Sequence, residues 1–280
     1  GWVRSLAEAI KGNLRHYTLI STVSVYDDPP LDRTITEDSS VLEYEGTADP
    51  YQEVAEVGAH YGALKVLCER EAEKQFPRRT LVLRPGYVGG PGDSRALTYW
   101  AVRARKGGDM LAGGEWSAPV QYIDVRDLAE WAIRLVEPRI AGIFNAVGPA
   151  TPLTVSGLVE TARNLFAPGA HTTWVPASWL MSQRDPERWG TLLFWTQAIA
   201  NIMRMSNERA LAAGLTTRAL ELTLRDALAW YQQLPKDQQS SLITGFKRNQ
   251  DGTFSPATFP CEAYLQREKE LLVAWRARGA

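Results

Sequence analysis

The sequence predicts an α/β fold in which buried strands alternate with amphipathic helices. Three observations carry that expectation. Apolar runs of strand length recur at Tyr17–Thr22, Thr80–Arg84 and Gly142–Val147. Around them, apolar residues recur at helical spacing behind residues that cap helices well. The composition, 45% hydrophobic with a formal net charge of −1 over 280 residues, is that of a soluble globular chain long enough for one large domain or a core with a lobe.

The elements follow in order. A helix is expected over Val3–Leu14. Tyr17–Thr22 reads as a buried strand continuing through Val23–Tyr26, and an acidic, proline-containing loop follows. A helix carrying Tyr61 leads to the strand Thr80–Arg84, which runs into the glycine-rich segment Pro85–Gly92. Next come a helix near Arg95–Lys106 and a short strand near Val120–Ile123. Asp124, with Asp127 three residues on, reads as the N-cap region of a helix to Val136, because a carboxylate there satisfies orphan N–H groups; capping is favoured over catalysis for both. Gly142–Val147 is a strand, Thr154 caps a helix to about Phe166, and His171–Val175 is a short strand. Ser206 caps a short helix ended by Gly214, and Leu220–Tyr231 places Leu220, Leu224, Ala227, Leu228 and Tyr231 on one helical face. Residues 235–260 turn polar and read as a surface insertion with a turn signal at 249–253, before an amphipathic helix over Glu262–Arg276.

The chemistry concentrates at Tyr61 and Lys65. Four residues apart on a helix, a phenol and an ammonium share one face, and a fixed cation favours the phenolate of a group that is otherwise a poor base near neutrality. Thr22 ends the first apolar run, at the carboxyl end of a strand, where open α/β sheets bind ligands. Hydroxyl, phenol and ammonium are then a set able to act on one carbonyl or carbinol oxygen. Gly86-x-x-Gly89-x-x-Gly92 has the spacing of a pyrophosphate-binding turn, yet it follows the Tyr61 helix, and Pro91 lacks an N–H to offer; a turn shaping the substrate mouth is the better reading. Trp100 and Trp116 are candidates for an apolar wall beside substrate, with core packing the favoured alternative. Arg103, one turn after Trp100, is a candidate contact for an anionic group.

Other classes are disfavoured. Near-zero net charge argues against a nucleic-acid partner, and no apolar run is long enough to span a bilayer. His16, His60 and His171 lack the spacing of a metal site, so none is expected. Cys68 and Cys261 read as unpaired thiols of a reducing, cytoplasmic compartment.

Segment by segment, the chain resembles the extended short-chain dehydrogenase/reductase superfamily, the NAD-dependent epimerases, dehydratases and reductases. Ile20–Tyr26 is similar to that group's catalytic Ser/Thr strand, and Tyr61–Lys65 to its catalytic helix. Arg84-Pro85-Gly86 with Gly90-Pro91-Gly92 resembles the loop beside the nicotinamide, while Val120–Ala129, Gly142–Gly148 and Ser206–Leu215 resemble later family segments. The resemblance implies a doubly wound, Rossmann-like parallel sheet over residues 1–150 and a smaller, mostly helical substrate lobe over 151–280. It implies NAD or NADP as cofactor, held by Tyr61, Lys65, Pro85, Gly86 and Val88. Thr22, Tyr61 and Lys65 would be catalytic, and Ser24, Trp100, Arg103 and Gln121 would contact a small-molecule substrate. A homodimer is the candidate assembly. The family's leading strand, Gly-rich turn and helix are not found ahead of Thr22, so the chain is expected to be an N-terminally truncated product. The second carboxylate expected of dehydratases is missing too: Val23 and Ser24 follow Thr22. The alternative is a non-catalytic, dinucleotide-responsive regulator or scaffold of the same fold.

Overall fold

A computed structural model describes residues 2–10, 14–27, 33–46, 49, 57–93, 96–183, 203–241, 244–248, 254–258 and 261–278. The chain divides into two compact units. One comprises Gly1–Val88, Gln121–Thr151 and Asn201–Thr217, the other Gly89–Val120, Pro152–Ala200 and Arg218–Ala280. The expected boundary near residue 150 therefore becomes an interleaved one: 89–120 joins the later residues and 201–217 the earlier ones.

The first unit is built on three parallel strands, with Thr80–Pro85 between Tyr17–Ile20 and Gly142–Ala146. The central strand is buried along its whole length, its Leu81-Val82-Leu83 run suiting a sheet with helices on both faces and its Thr80 and Arg84 buried as well. Leu81 and Leu83 face a core completed by Ile123, Trp131, Leu135, Phe144, Ala146, Ala210 and Leu215, and so meet the helices Val125–Val136 and Glu208–Ala212. Helix Val57–Gln75 packs on the sheet and on the turn at Val23–Val25, and helix Trp2–Ile10 packs on Val57–Gln75 in turn. That is the doubly wound arrangement.

The second unit is mostly helical. Helix Ala96–Lys106 packs on Leu220–Gln233 and Val155–Phe166. The parallel pair Asp109–Gly113 and His171–Val175 adjoins a core of Leu111, Val175, Trp179, Leu180, Leu271 and Leu272, into which helix Cys261–Arg276 docks.

Several elements differ from expectation. The first helix is Trp2–Ile10; residues 11–13 lie outside the described residues, and Leu14 is not helical. The first strand stops at Ile20 and is followed by a 3-10 turn, Val23–Val25, not by more strand. Asp109–Gly113, Gly148–Thr154 and helix Ala177–Ser182 were not anticipated. The segment read as an insertion forms helix Lys236–Ser241 and an antiparallel pair, Thr244–Arg248 with Phe254–Thr258, while the expected turn at 249–253 and the helix start at Arg95 lie outside the described residues. Asp124 and Thr154 do cap their helices, accepting from Arg126 N at 2.9 Å and Gly157 N at 3.1 Å.

Candidate active site

Thr22 is placed by its own side chain. Its Oγ1 accepts from the Ser24 amide at 3.1 Å and donates to Ser24 Oγ at 3.1 Å, a local bond that competes with strand pairing and starts the 3-10 turn. Tyr26 N–H closes the turn on the Val23 carbonyl. The hydroxyl thus stands just past the carboxyl end of the first strand, with Ser24 exposed beside it.

The helix Val57–Gln75 grips this turn on either side of Thr22. Lys65 Nζ donates to the Ile20 carbonyl at 2.7 Å, two residues before Thr22. Gly62 lies so close to the Ser24 carbonyl, two residues after it, that a Cβ there would stand 2.0 Å from the oxygen. Only glycine permits that approach. Tyr61 shares the helical face of Lys65 and remains 43% exposed. Thr22, Ser24 and Lys65 are therefore gathered at one strand end, with Tyr61 one helical turn before Lys65. His60 meets Tyr44 edge-on at 5.2 Å between centroids.

Beneath this cluster lies a buried polar network that sequence reading missed. Glu69, one turn beyond Lys65, receives Ser21 Oγ and two bonds from Arg84, Nε at 3.0 Å and Nη2 at 2.6 Å. Arg84 Nη1 donates to Tyr26 Oη at 2.9 Å, and Tyr26 donates to Asn145 Oδ1 at 2.6 Å. Glu37 accepts the Asn145 N–H at 2.8 Å. Burial holds the Tyr26 phenol above its ordinary pKa, and the adjacent Arg84 guanidinium offsets only part of that. The signal available in the sequence was Glu69 itself, which continues the Tyr61, Lys65 stripe at four-residue spacing. A cleft of about 600 Å³ in this unit is lined by Val66, Glu69, Thr80, Val82 and Arg84 among others, and not by Thr22, Tyr61 or Lys65.

The remaining expected residues divide. Pro85 and Gly86 end the central strand, Gly86 approaching Val147 too closely for a Cβ, and Val88 packs against the first core. Gln121 turns inward: its amide donates to the Met205 carbonyl at 2.8 Å and accepts the Met205 N–H at 2.9 Å, so the substrate assignment gives way to a structural one. Trp100, 1% exposed, is interior to the second unit. Arg103 is buried there as well and is spent on Glu268 at 2.5 Å, on the Gly107 carbonyl at 2.9 Å and on the Asp109 carbonyl, which corrects its assignment as an anion contact. Gly90 and Gly92 both have positive φ, and the Asp93 carboxylate already accepts the Thr98 N–H at the start of the next helix, where a phosphate would need an open donor. Asp124 is held by Arg126 as well as capping its helix. Among the described residues no three metal-ligating side chains cluster, and no helix is long and apolar enough to cross a membrane.

Residues 2–146 match the NAD dependent epimerase/dehydratase family. No curated protein matches the chain in sequence. Among solved structures, UDP-glucuronic acid 4-epimerase from Bacillus cereus in complex with NAD aligns at 15% identity and a TM-score of 0.56, over 82% of this chain and 66% of its own. The Bordetella bronchiseptica enzyme WbmH in complex with NAD+ aligns at 15% identity and a TM-score of 0.57, over 82% and 67%. RMD from Pseudomonas aeruginosa complexed with NADPH aligns at 18% identity and a TM-score of 0.53, over 81% and 71%. The chain spans about two thirds of the length of these structures, and at such identity the likeness speaks for the fold. With the family match covering more than half of its residues, the chain belongs to the NAD-dependent epimerase/dehydratase family.

Proposed function

We propose that the chain supplies the catalytic and substrate-binding machinery of an NAD(P)-dependent reductase or epimerase that acts on a carbinol or carbonyl of a small or nucleotide-linked substrate. The observation that supports this reading is the bracketing of Thr22 by one helix, with Lys65 on Ile20 and Gly62 against Ser24, while Tyr61 shares the helical face of Lys65. The residues present suit the nicotinamide ribose end of the cofactor: the Lys65 ammonium and Tyr61 phenol offer donors for ribose hydroxyls, and Pro85, Gly86 and Val88 wall the adjoining strand end. When bound, NAD(P) supplies the hydride donor or acceptor.

In this reading Tyr61 holds the proton that passes to or from the substrate oxygen at its Oη. Lys65 contributes the fixed positive charge on the same helical face, and its bond to Ile20 keeps the ammonium at the strand end. Thr22 Oγ1 exchanges its bond to Ser24 Oγ for one to the substrate oxygen, orienting it toward Tyr61. Val23 and Ser24 give no carboxylate beside Thr22, which favours reduction or epimerisation over dehydration. Tyr61→Phe in the full-length protein tests the reading: turnover should fall about a hundredfold or more while the fold is kept. Unchanged turnover would refute it. NAD(P) binding without turnover of any ketone, aldehyde or nucleotide sugar would favour the regulator instead.

A further inference from the structure

We propose that Glu69 is a positioning residue whose buried carboxylate holds the Ser21 side chain, the Tyr61 helix and the Arg84–Gly86 strand end in one register, and so fixes the Thr22 hydroxyl relative to Tyr61. This rests on the function proposed above and names the part that aligns it.

Three chain segments converge on the one carboxylate. Ser21, the residue before Thr22, donates its hydroxyl to Glu69 Oε1; Arg84, the residue before Pro85, donates to both carboxylate oxygens at 3.0 and 2.6 Å; and Glu69 stands on the Tyr61 helix itself. Arg84 then reaches forward past Thr22 to Tyr26 at 2.9 Å, so the turn is held from behind through Ser21 and from ahead through Tyr26. The members are almost without solvent, Ser21 at 4%, Glu69 at 6%, Arg84 at 3% and Asn145 at 0% exposure.

As a source of stability such an arrangement is inefficient, because desolvating a buried ion pair consumes most of its Coulomb attraction and an apolar pair of equal volume serves as well. Its directional bonds do what apolar packing cannot: each fixes a distance and an angle at the residue adjoining a candidate site residue. Lys65 and Gly62 set how near the helix lies to the turn, and Glu69 sets the register along it.

The test is a double-mutant cycle in the full-length protein between Ser21→Ala, which deletes one bond and leaves the Glu69–Arg84 pair, and Thr22→Val. Ser21→Ala should lower kcat about tenfold, with KM for cofactor and substrate and the melting temperature nearly unchanged, as expected of misplacement and not of lost binding. In the Thr22→Val background the same change should cost nothing further. Glu69→Gln, which keeps the volume and loses one charge-assisted oxygen, should show the same loss and the same dependence on Thr22. Multiplicative losses in the cycle, or an unchanged kcat for Ser21→Ala, would overturn the proposal. Tyr61→Phe run in parallel keeps the two ideas apart: a fully active Tyr61→Phe removes the proposed function, whereas an inactive Tyr61→Phe beside a fully active Ser21→Ala removes only the role of Glu69.

Discussion

Replacing Gly62 by Ala separates the placement of the site from the stability of the fold. The added Cβ would meet the Ser24 carbonyl oxygen at 2.0 Å and Leu42 Cδ1 at 2.8 Å, where ordinary contact begins near 3.4 Å. Leu42 can rotate aside, but the Ser24 carbonyl belongs to a turn closed by the Thr22 side chain and by the Tyr26 N–H. The helix must therefore back away from the turn by more than an ångström. Overpacking of this kind costs about 1–3 kcal/mol, while exchanging a helical glycine for alanine returns about 1 kcal/mol. The net loss, up to about 2 kcal/mol, should lower the melting temperature by only several degrees. The rate should suffer far more, since a misplacement of about 1 Å can cost about a hundredfold. Thermal melts and steady-state kinetics on the same preparation of full-length protein read both. A kcat within about twofold of the parent, with the helix displaced or not, would refute the inference that Gly62 sets the site.

Further outcomes follow from other contacts. Arg103→Ala leaves Glu268 buried and unpaired and should destabilise by about 3–5 kcal/mol, whereas Arg103→Met with Glu268→Leu should melt near the parent temperature; a stable Arg103→Ala that loses substrate affinity would restore the anion-contact reading. Hydrogen bonds from Arg4 and Gln75 hold the Glu71 carboxyl below its ordinary range, so the stability this adds is present above the usual carboxylate pKa and is lost as pH falls through the depressed value. Arg4→Ala should therefore cost about 0.5 kcal/mol near neutral pH in urea titrations, a cost that shrinks as pH falls through the depressed value, and a gap that stays undiminished in acid would contradict the assignment. Residues 1–21 hold only Gly1 and Gly12, and Asp93 already takes the Thr98 N–H of the helix that follows Gly86–Gly92, so calorimetric titration of the 280-residue chain with NADH or NADPH should give affinities far weaker than micromolar. A micromolar constant would show that the phosphates are held by residues 86–92 after all.

Local chemistry was readable from sequence, and long-range pairing was not. The strands Thr80–Pro85 and Gly142–Ala146 and the caps Asp124 and Thr154 declare themselves within a few residues, through apolar runs and an oxygen ahead of a helix. Val23 and Val25 alternate with Ser24 as a strand would, and only the Thr22 hydroxyl's bond to Ser24 N turns them into a 3-10 turn. Asp109–Gly113 is short and follows Gly107 and Gly108, both at positive φ, so no period could form. Tyr61, Lys65 and Thr22 stand out as candidates in the sequence because two of them share a helix face and the third ends a strand. Arg103 and Gln121 were misassigned because their partners, Glu268 and Met205, lie far along the chain, and no local pattern marks a buried arginine as already satisfied.

The bond from Glu37 to the Asn145 amide bears on how copies of this chain can associate. Gly142–Ala146 is an outer strand among the described residues, and an outer strand exposes a row of amides and carbonyls on which another chain can build. Here two of its groups are already engaged. Glu37 takes the Asn145 N–H at 2.8 Å, Arg209 reaches the Ile143 carbonyl at 3.5 Å, and Arg209 is itself paired with Asp38 at 2.7 Å. Extension of the sheet across this border would first have to expel a buried carboxylate, so β-pairing between copies is disfavoured on this side of the sheet.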